Sequence, residues 1–152
     1  MLSDRNIEDQ VAQLRSPNNK EAYRALKSLI DASERSDEVY RHIEAFIEMM
    51  RDPSSYVRTR GLTLIACNAR WDKAGRIDEV IDAYLEHITD EKPITARQCA
   101  KLVVQLAEAK PNLLPHIISA LREADVSNYP DSMKPLVQSD IRESLLALDN
   151  GL

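Results

Sequence analysis

A metal centre or a covalent nucleophile in this chain would have to be assembled from His42, His87, His116, Cys67 and Cys99. No two histidines stand at i,i+4, the spacing that puts two imidazoles on one helix face, and no HExxH run occurs. The two cysteines lack the clustered spacing of a zinc, redox or iron–sulfur site. Two such residues read instead as small core side chains. Asp78, Glu79, Asp82 and Glu86 crowd one stretch, but a general acid–base pair needs a cleft that perturbs one of its members. On an amphipathic helix this run reads as a solvated face. Glycine-rich phosphate loops and the GxSxG elbow are absent from the sequence. The expectation is no catalytic residue, no metal site and no cofactor.

The elements that would position any functional side chain are helices. Across Asp52–Arg70, Asp52 is a candidate N-cap and Pro53 suits a first helical position. Val57, Gly61, Leu64 and Asn68 then fall on one stripe with Ile65 beside it. Leu62, Ala66 and Ala69 make the other side apolar too, which predicts a helix held between neighbours. Gly61 costs about 1 kcal/mol relative to Ala in a helix interior, so its presence on the buried stripe predicts close approach of another helix.

Related copies of this stretch recur. Ser16-Pro17-Asn18-Asn19 lines up with Asp52-Pro53-Ser54-Ser55, Ala96-Arg97 with Val57-Arg58, and Ile141-Arg142 with the same pair. The anchors Ala25, Gly61, Ala100 and Leu145 are spaced by roughly forty residues, a period typical of stacked helix pairs. Eight helices in four pairs are expected. The first runs from Asp4 to Leu14 with Ser3 as cap, and the second from Pro17 to Ala32. The third is capped by Ser36 and carries Val39, Ile43, Phe46, Ile47 and Met50. After the Asp52 helix, the fifth follows Trp71-Asp72 and carries Ile77, Val80, Ile81, Tyr84, Leu85 and Ile88. The sixth opens at Pro93 and the seventh at Pro111. A polar break spans Asp125–Asp131, and the last helix covers Ser132–Leu148. No strand pattern is present.

The Asp52, Val57, Arg58, Gly61 pattern resembles the second half of a HEAT repeat, and Asp90–Ala100 resembles it with one extra residue near Pro93. The outer copies depart from it: Glu21-Ala22 replaces Val-Arg in the first, and Leu145 replaces the small residue in the last. The resemblance implies an all-α, right-handed α-α superhelix. It would form a single domain over 1–152, with repeats at about 3–35, 36–70, 71–109 and 110–149. It further implies that Asp52, Arg58, Asp90 and Arg97 tie one repeat to the next, and that the second helix of each pair lines a concave face.

Composition narrows the rest. Of 152 residues, 43% are hydrophobic but only 5% aromatic, so the core must be aliphatic. No apolar run approaches the roughly 20 residues of a membrane span. The polar, acidic N-terminus argues against a signal peptide, and a cytoplasmic protein without membrane association is expected. The net charge is −5, yet the second helices are net basic and the first helices net acidic.

A repeat stack with a mildly basic concave face is expected to be a non-catalytic scaffold for a protein or acidic peptide. Its contact residues would be Thr59, Arg60, Thr63, Arg70, Gln98, Lys101 and Gln105, flanked by Tyr23 and Lys27. A second reading is nucleic-acid binding, because a family of alkylated-base DNA glycosylases is built of HEAT-like repeats with Trp, Asp and Arg in a basic groove, and Trp71 and Asp72 invite that comparison. The sequence pI of about 5.2 weighs against it. A third, an accessory role in iron–sulfur assembly, attaches to short bacterial chains similar to this one and not to its cysteines.

Overall fold

The computed structural model describes residues 4–151, with side chains described for 6–149. The cap expected at Ser3 lies outside the described residues. Among these, every regular element is helical: nine α-helices, four short 3₁₀ turns and no strand. The chain divides into two compact units, Met1–Ala74 and Gly75–Leu152.

In the first unit, α1 (Asp4–Gln13) buries Ile7 and Val11, and Leu14 is buried just beyond it. The chain turns at Ser16, whose hydroxyl accepts from the Asn18 N–H at 3.1 Å. Asn18 then caps α2 (Asn19–Arg35) by accepting from the N–H groups of Lys20 and Glu21. Ala22, Ala25, Leu29 and Ser33 form the buried stripe of α2. The expected third helix is split into a 3₁₀ turn at Val39–His42 and α3 (Ile43–Met49).

The central helix, α4 (Ser55–Asn68), starts later than its sequence suggests. Asp52 is not its N-cap: the Asp52 carboxylate accepts from the Ser54 N–H, two residues on, at 2.9 Å, and the Ser54 hydroxyl takes the cap position over the Val57 N–H. Pro53 therefore sits in a turn and not at the first helical position. Helix α4 buries residues on nearly all sides and packs on both α2 and α3. The reason for Gly61 is steric. A Cβ there would meet Met49 Cβ at 2.7 Å and the Phe46 carbonyl oxygen at 2.8 Å, so the α3 backbone lies closer to α4 than any side chain allows.

Trp71 and Asp72 fall in the first compact unit, ahead of the next helix. Trp71 ends a 3₁₀ turn, Ala69–Trp71, that prolongs α4, and its indole N–H donates to the Ser33 carbonyl at 2.7 Å. Asp72 is buried and accepts from the Tyr40 hydroxyl. Both residues close the first unit upon itself.

The second unit begins with Gly75 at φ +77°, a left-handed conformation that glycine adopts without strain. In place of one long fifth helix come α5 (Arg76–Glu79), α6 (Ile81–Leu85) and a 3₁₀ turn at Glu86–Thr89. The apolar stripe survives intact: Ile77, Val80, Ile81, Tyr84, Leu85 and Ile88 are all buried. A tightened 3₁₀ turn keeps neighbours three apart on one face much as an α-turn does, so burial is preserved while the hydrogen-bond ladder is interrupted. At Asp90 the turn of Asp52 recurs, with the carboxylate accepting from the Lys92 N–H at 2.9 Å just ahead of α7 (Pro93–Ala109).

A 3₁₀ turn at Pro111–Leu113 leads into α8 (Leu114–Glu123), and α9 (Lys134–Gly151) begins two residues after the expected Ser132. The connection between them is pinned: Val126 and Tyr129 are buried, and the Tyr129 hydroxyl donates to the Asp90 carbonyl at 2.5 Å. Helices α7 and α9 pack together, with the Ser144 hydroxyl donating to the Ala100 carbonyl at 2.6 Å. The sequence signature shared by Ser16, Asp52 and Asp90 is thus a turn, in which a side-chain oxygen takes the N–H two residues on and sets the start of the following long helix.

Candidate partner-binding surface

The chemistry-capable residues do not converge. Among the described residues no group of three or more His, Cys, Asp or Glu is placed to hold a metal ion. His42 lines a small hollow with Ile7, Glu8, Glu38 and Arg41, His87 Nδ1 lies 2.7 Å from Asp90, and His116 is exposed on α8. Cys67 and Cys99 are both buried, and neither is in a disulfide. Cys99 donates weakly to the Tyr84 carbonyl, and burial pushes its thiol far above the ordinary range, with Asp90 adding to the shift. A thiol held protonated in this way is a poor nucleophile. Asp78 is not part of a solvated face: Lys110 Nζ approaches it at 2.5 Å and Asn112 donates to it at 2.7 Å.

Of the four residues expected to tie one repeat to the next, Arg58 and Asp90 are held within their own turns, and Asp52 and Arg97 pair with residues other than those expected. Arg58 donates to the carbonyls of Asp52 and Pro53, both at 3.0 Å, and so braces its own turn. Asp52 reaches back to Arg15, just after α1, at 3.1 Å. That pair is largely solvated and contributes less than about 1 kcal/mol. Asp90 is held by His87 and Lys92 within its own turn. Arg97 links α7 to α9, through Asp140 at 2.6 Å and not through Asp90. The hydrogen bond to Asp140 raises the Arg97 pKa above its ordinary value, against an opposing effect of burial.

Of the expected contact residues, Arg60 is the clear correction. Its sequence position suggested an exposed cation, but it is only 7% exposed. The long side chain folds back onto the α1–α2 connection and donates to the Leu14 carbonyl at 2.8 Å and to Asn19 at 3.2 Å. Burial lowers its pKa from the ordinary value, and Tyr56 acts in the opposite direction. Thr59 and Thr63 are half-buried and donate to carbonyls one turn back in α4. Arg70 is exposed in the 3₁₀ turn after α4. In the second unit Gln98 and Lys101 are exposed on α7, Gln105 is half-buried, and the Lys101 ammonium leans towards Asp140 at 4.0 Å.

The structure does bring one set of these residues together, in the first unit. Asn19, Tyr23 and Lys27 succeed one another by single turns along α2, and Tyr56 and Arg60 do so along α4. The bond from Arg60 to Asn19 joins the two rows into one surface. Tyr23 is 58% exposed and Tyr56 62% exposed. Lys27 Nζ lies 5.9 Å from the centre of the Tyr23 ring, and the Arg60 guanidinium 6.0 Å from that of Tyr56. Lys20 and Arg24 are exposed on the same helix. Tyr56 was missing from the sequence-based set. The available signal was its position one turn before Arg60 on an otherwise apolar helix, where an aromatic with no place in the buried stripe must face outward.

Comparison with protein-family models, with curated proteins and with solved structures finds no match to this chain.

Proposed function

We propose that this protein is a non-catalytic, cytoplasmic protein-binding scaffold of HEAT-like helix pairs, and that the Tyr23–Lys27–Tyr56–Arg60 surface takes an acidic segment of a protein partner. The observation that carries this reading is the pair of exposed tyrosines, each with a cation against its ring, on two adjoining helices of a chain with few aromatics. A globular protein that buries its aliphatic residues this thoroughly has little folding reason to leave two large rings in water. Tyrosine and arginine are the side chains most enriched at the energetic centres of interfaces. The rings supply rigid contact area at small entropic cost, and Lys20, Arg24 and Lys27 would steer and pair carboxylates. The buried guanidinium of Arg60 spends its donors internally but still contributes positive charge beneath Tyr56.

Two buried cysteines not joined in a disulfide fit a reducing compartment, and among the described residues no helix is long and apolar enough to cross a membrane. The nucleic-acid reading loses the residues that suggested it, since Trp71 and Asp72 are turned into the first unit.

The test is fluorescence anisotropy of a labelled peptide alternating Glu with Leu and Phe, titrated with the full chain. Tyr23→Ala/Tyr56→Ala should weaken binding at least ten-fold, and raising the salt should weaken it further. The control, Ile94→Ala, removes an exposed apolar side chain of the second unit and should leave binding within two-fold. Equal loss in both variants would refute the assignment of the surface.

A further inference from the structure

In the second unit, α6 with its 3₁₀ continuation packs beside α8 and leaves a groove of about 530 Å3 between them. Leu85, Pro115 and Ala120 line it with apolar surface; Asp82 and Glu86 stand one turn apart on one wall and Glu123 on the other. All three carboxylates are exposed, and none enters an ion pair or a side-chain hydrogen bond among the described residues. Other carboxylates of this unit are differently placed: Asp78 holds Lys110, Asp90 holds His87 and Asp140 holds Arg97. His116 also lines the groove, and Arg122 shares an adjoining hollow with Ile118 and Glu123; among the described residues no Lys or Arg lines the groove itself. Its carboxylates are also not grouped as metal ligands.

We propose that this groove docks a basic amphipathic helix of a protein partner. The argument is complementarity of shape and charge. From Pro115 to Glu123 the α8 wall is about 12 Å long, which matches about two turns of helix. On such a helix, Lys or Arg side chains one turn apart would meet Asp82 and Glu86 along one edge and Glu123 along the other, and an aliphatic side chain between them would cover Leu85 and Ala120. This is the helix-in-groove mode, in which apolar anchors supply contact and flanking charges set orientation. The wider field favours the same sign of ligand: the first unit carries twelve basic and twelve acidic residues and the second eight and thirteen, so the net charge of −5 lies wholly in the second. The proposal does not depend on the Tyr23–Tyr56 surface and calls for a partner of opposite charge.

The experiment titrates the full chain into a fluorescein-labelled amphipathic peptide of Lys and Leu and follows anisotropy. Saturable binding is expected. Asp82→Asn/Glu86→Gln/Glu123→Gln should raise the Kd at least ten-fold, whereas Glu91→Gln/Glu108→Gln/Glu143→Gln, the same charge change at exposed positions outside the groove, should stay within two-fold. Ser119→Trp, which fills the groove without altering charge, should also raise the Kd at least ten-fold. Circular dichroism of each variant checks that the helices are retained. Absence of saturable binding, equal weakening by the two charge variants, or unchanged binding by Ser119→Trp would each overturn the proposal.

Discussion

The two units use arginine to join elements distant in sequence in different ways. In Met1–Ala74, Arg60 is withdrawn from water and donates to a backbone carbonyl and an amide side chain, Leu14 and Asn19. In Gly75–Leu152, Arg97 stays partly solvated and pairs with a carboxylate, Asp140. The first arrangement spends no acidic residue, and the first unit is formally neutral with two exposed tyrosines over cations. The second sets Lys110 against Asp78 and Arg97 against Asp140, while Asp82, Glu86 and Glu123 line a groove with no Lys or Arg in its lining. The two units therefore present surfaces of different character.

The largest expected break concerns packing in the first unit. Gly61→Leu must push α3 away from α4, since a Cβ alone already meets the Phe46 carbonyl and Met49. The expected loss is about 3 kcal/mol, the upper end for overpacking. Hydrogen exchange should show lost protection concentrated in α3 and α4, and unchanged protection there would mean the contact is loose. Gly75 is the contrasting glycine: nothing lies within 4 Å of its Cβ position, but its φ is +77°. Gly75→Ala should cost about 1 kcal/mol from backbone strain alone, and Gly75→Asn less, which a denaturant titration of the three proteins resolves.

Arg60→Ala removes two charge-assisted hydrogen bonds and leaves the Leu14 carbonyl without its donor. It should cost about 2 kcal/mol, read as a shift of the urea midpoint at constant slope. A cost near zero would mean that water replaces the guanidinium and that the arginine tie of the first unit is dispensable.

The smallest effect belongs to Tyr129 and has a pH signature. Burial, with the nearby charge of Asp90 second, pushes its hydroxyl up to about 12. The folded chain thus holds this proton more tightly than the unfolded chain, whose tyrosines titrate near about 10. The stability it supplies is fully present below pH about 10 and is lost as pH rises through about 12. Tyr129→Phe should cost about 1 kcal/mol at neutral pH through the lost bond to Asp90, and should flatten the alkaline fall in stability. Parallel stability–pH curves for the two proteins would contradict this.

These contrasts also mark what could be read from the chain. The helical stripes of Ile7, Val11 and Leu14, of Ala22, Ala25 and Leu29, and of Ile77 to Ile88 were legible because burial imposes a period near 3.6 whatever the exact hydrogen bonding. Gly61 was legible because its helix cost demands a packing reason. The caps were not: a carboxylate that closes a turn two residues on and one that caps a helix occupy neighbouring positions, so Asp52 was taken for the cap that Ser54 provides. The breaks around Val80 left no trace, since 3₁₀ and α turns bury the same positions. Arg60 was misjudged because a guanidinium on four rotatable bonds can leave the face its Cα occupies. For the same reason Arg97 found Asp140, far along the chain, in preference to Asp90.

The most direct test of the binding account is chemical-shift mapping on the uniformly labelled full chain with the Glu/Leu/Phe peptide as probe. The account predicts saturable perturbations confined to residues 19–27 and 56–63, including Tyr23, Lys27, Tyr56 and Arg60. Perturbations centred on residues 82–123, or spread evenly over exposed lysines and arginines of both units, would contradict it.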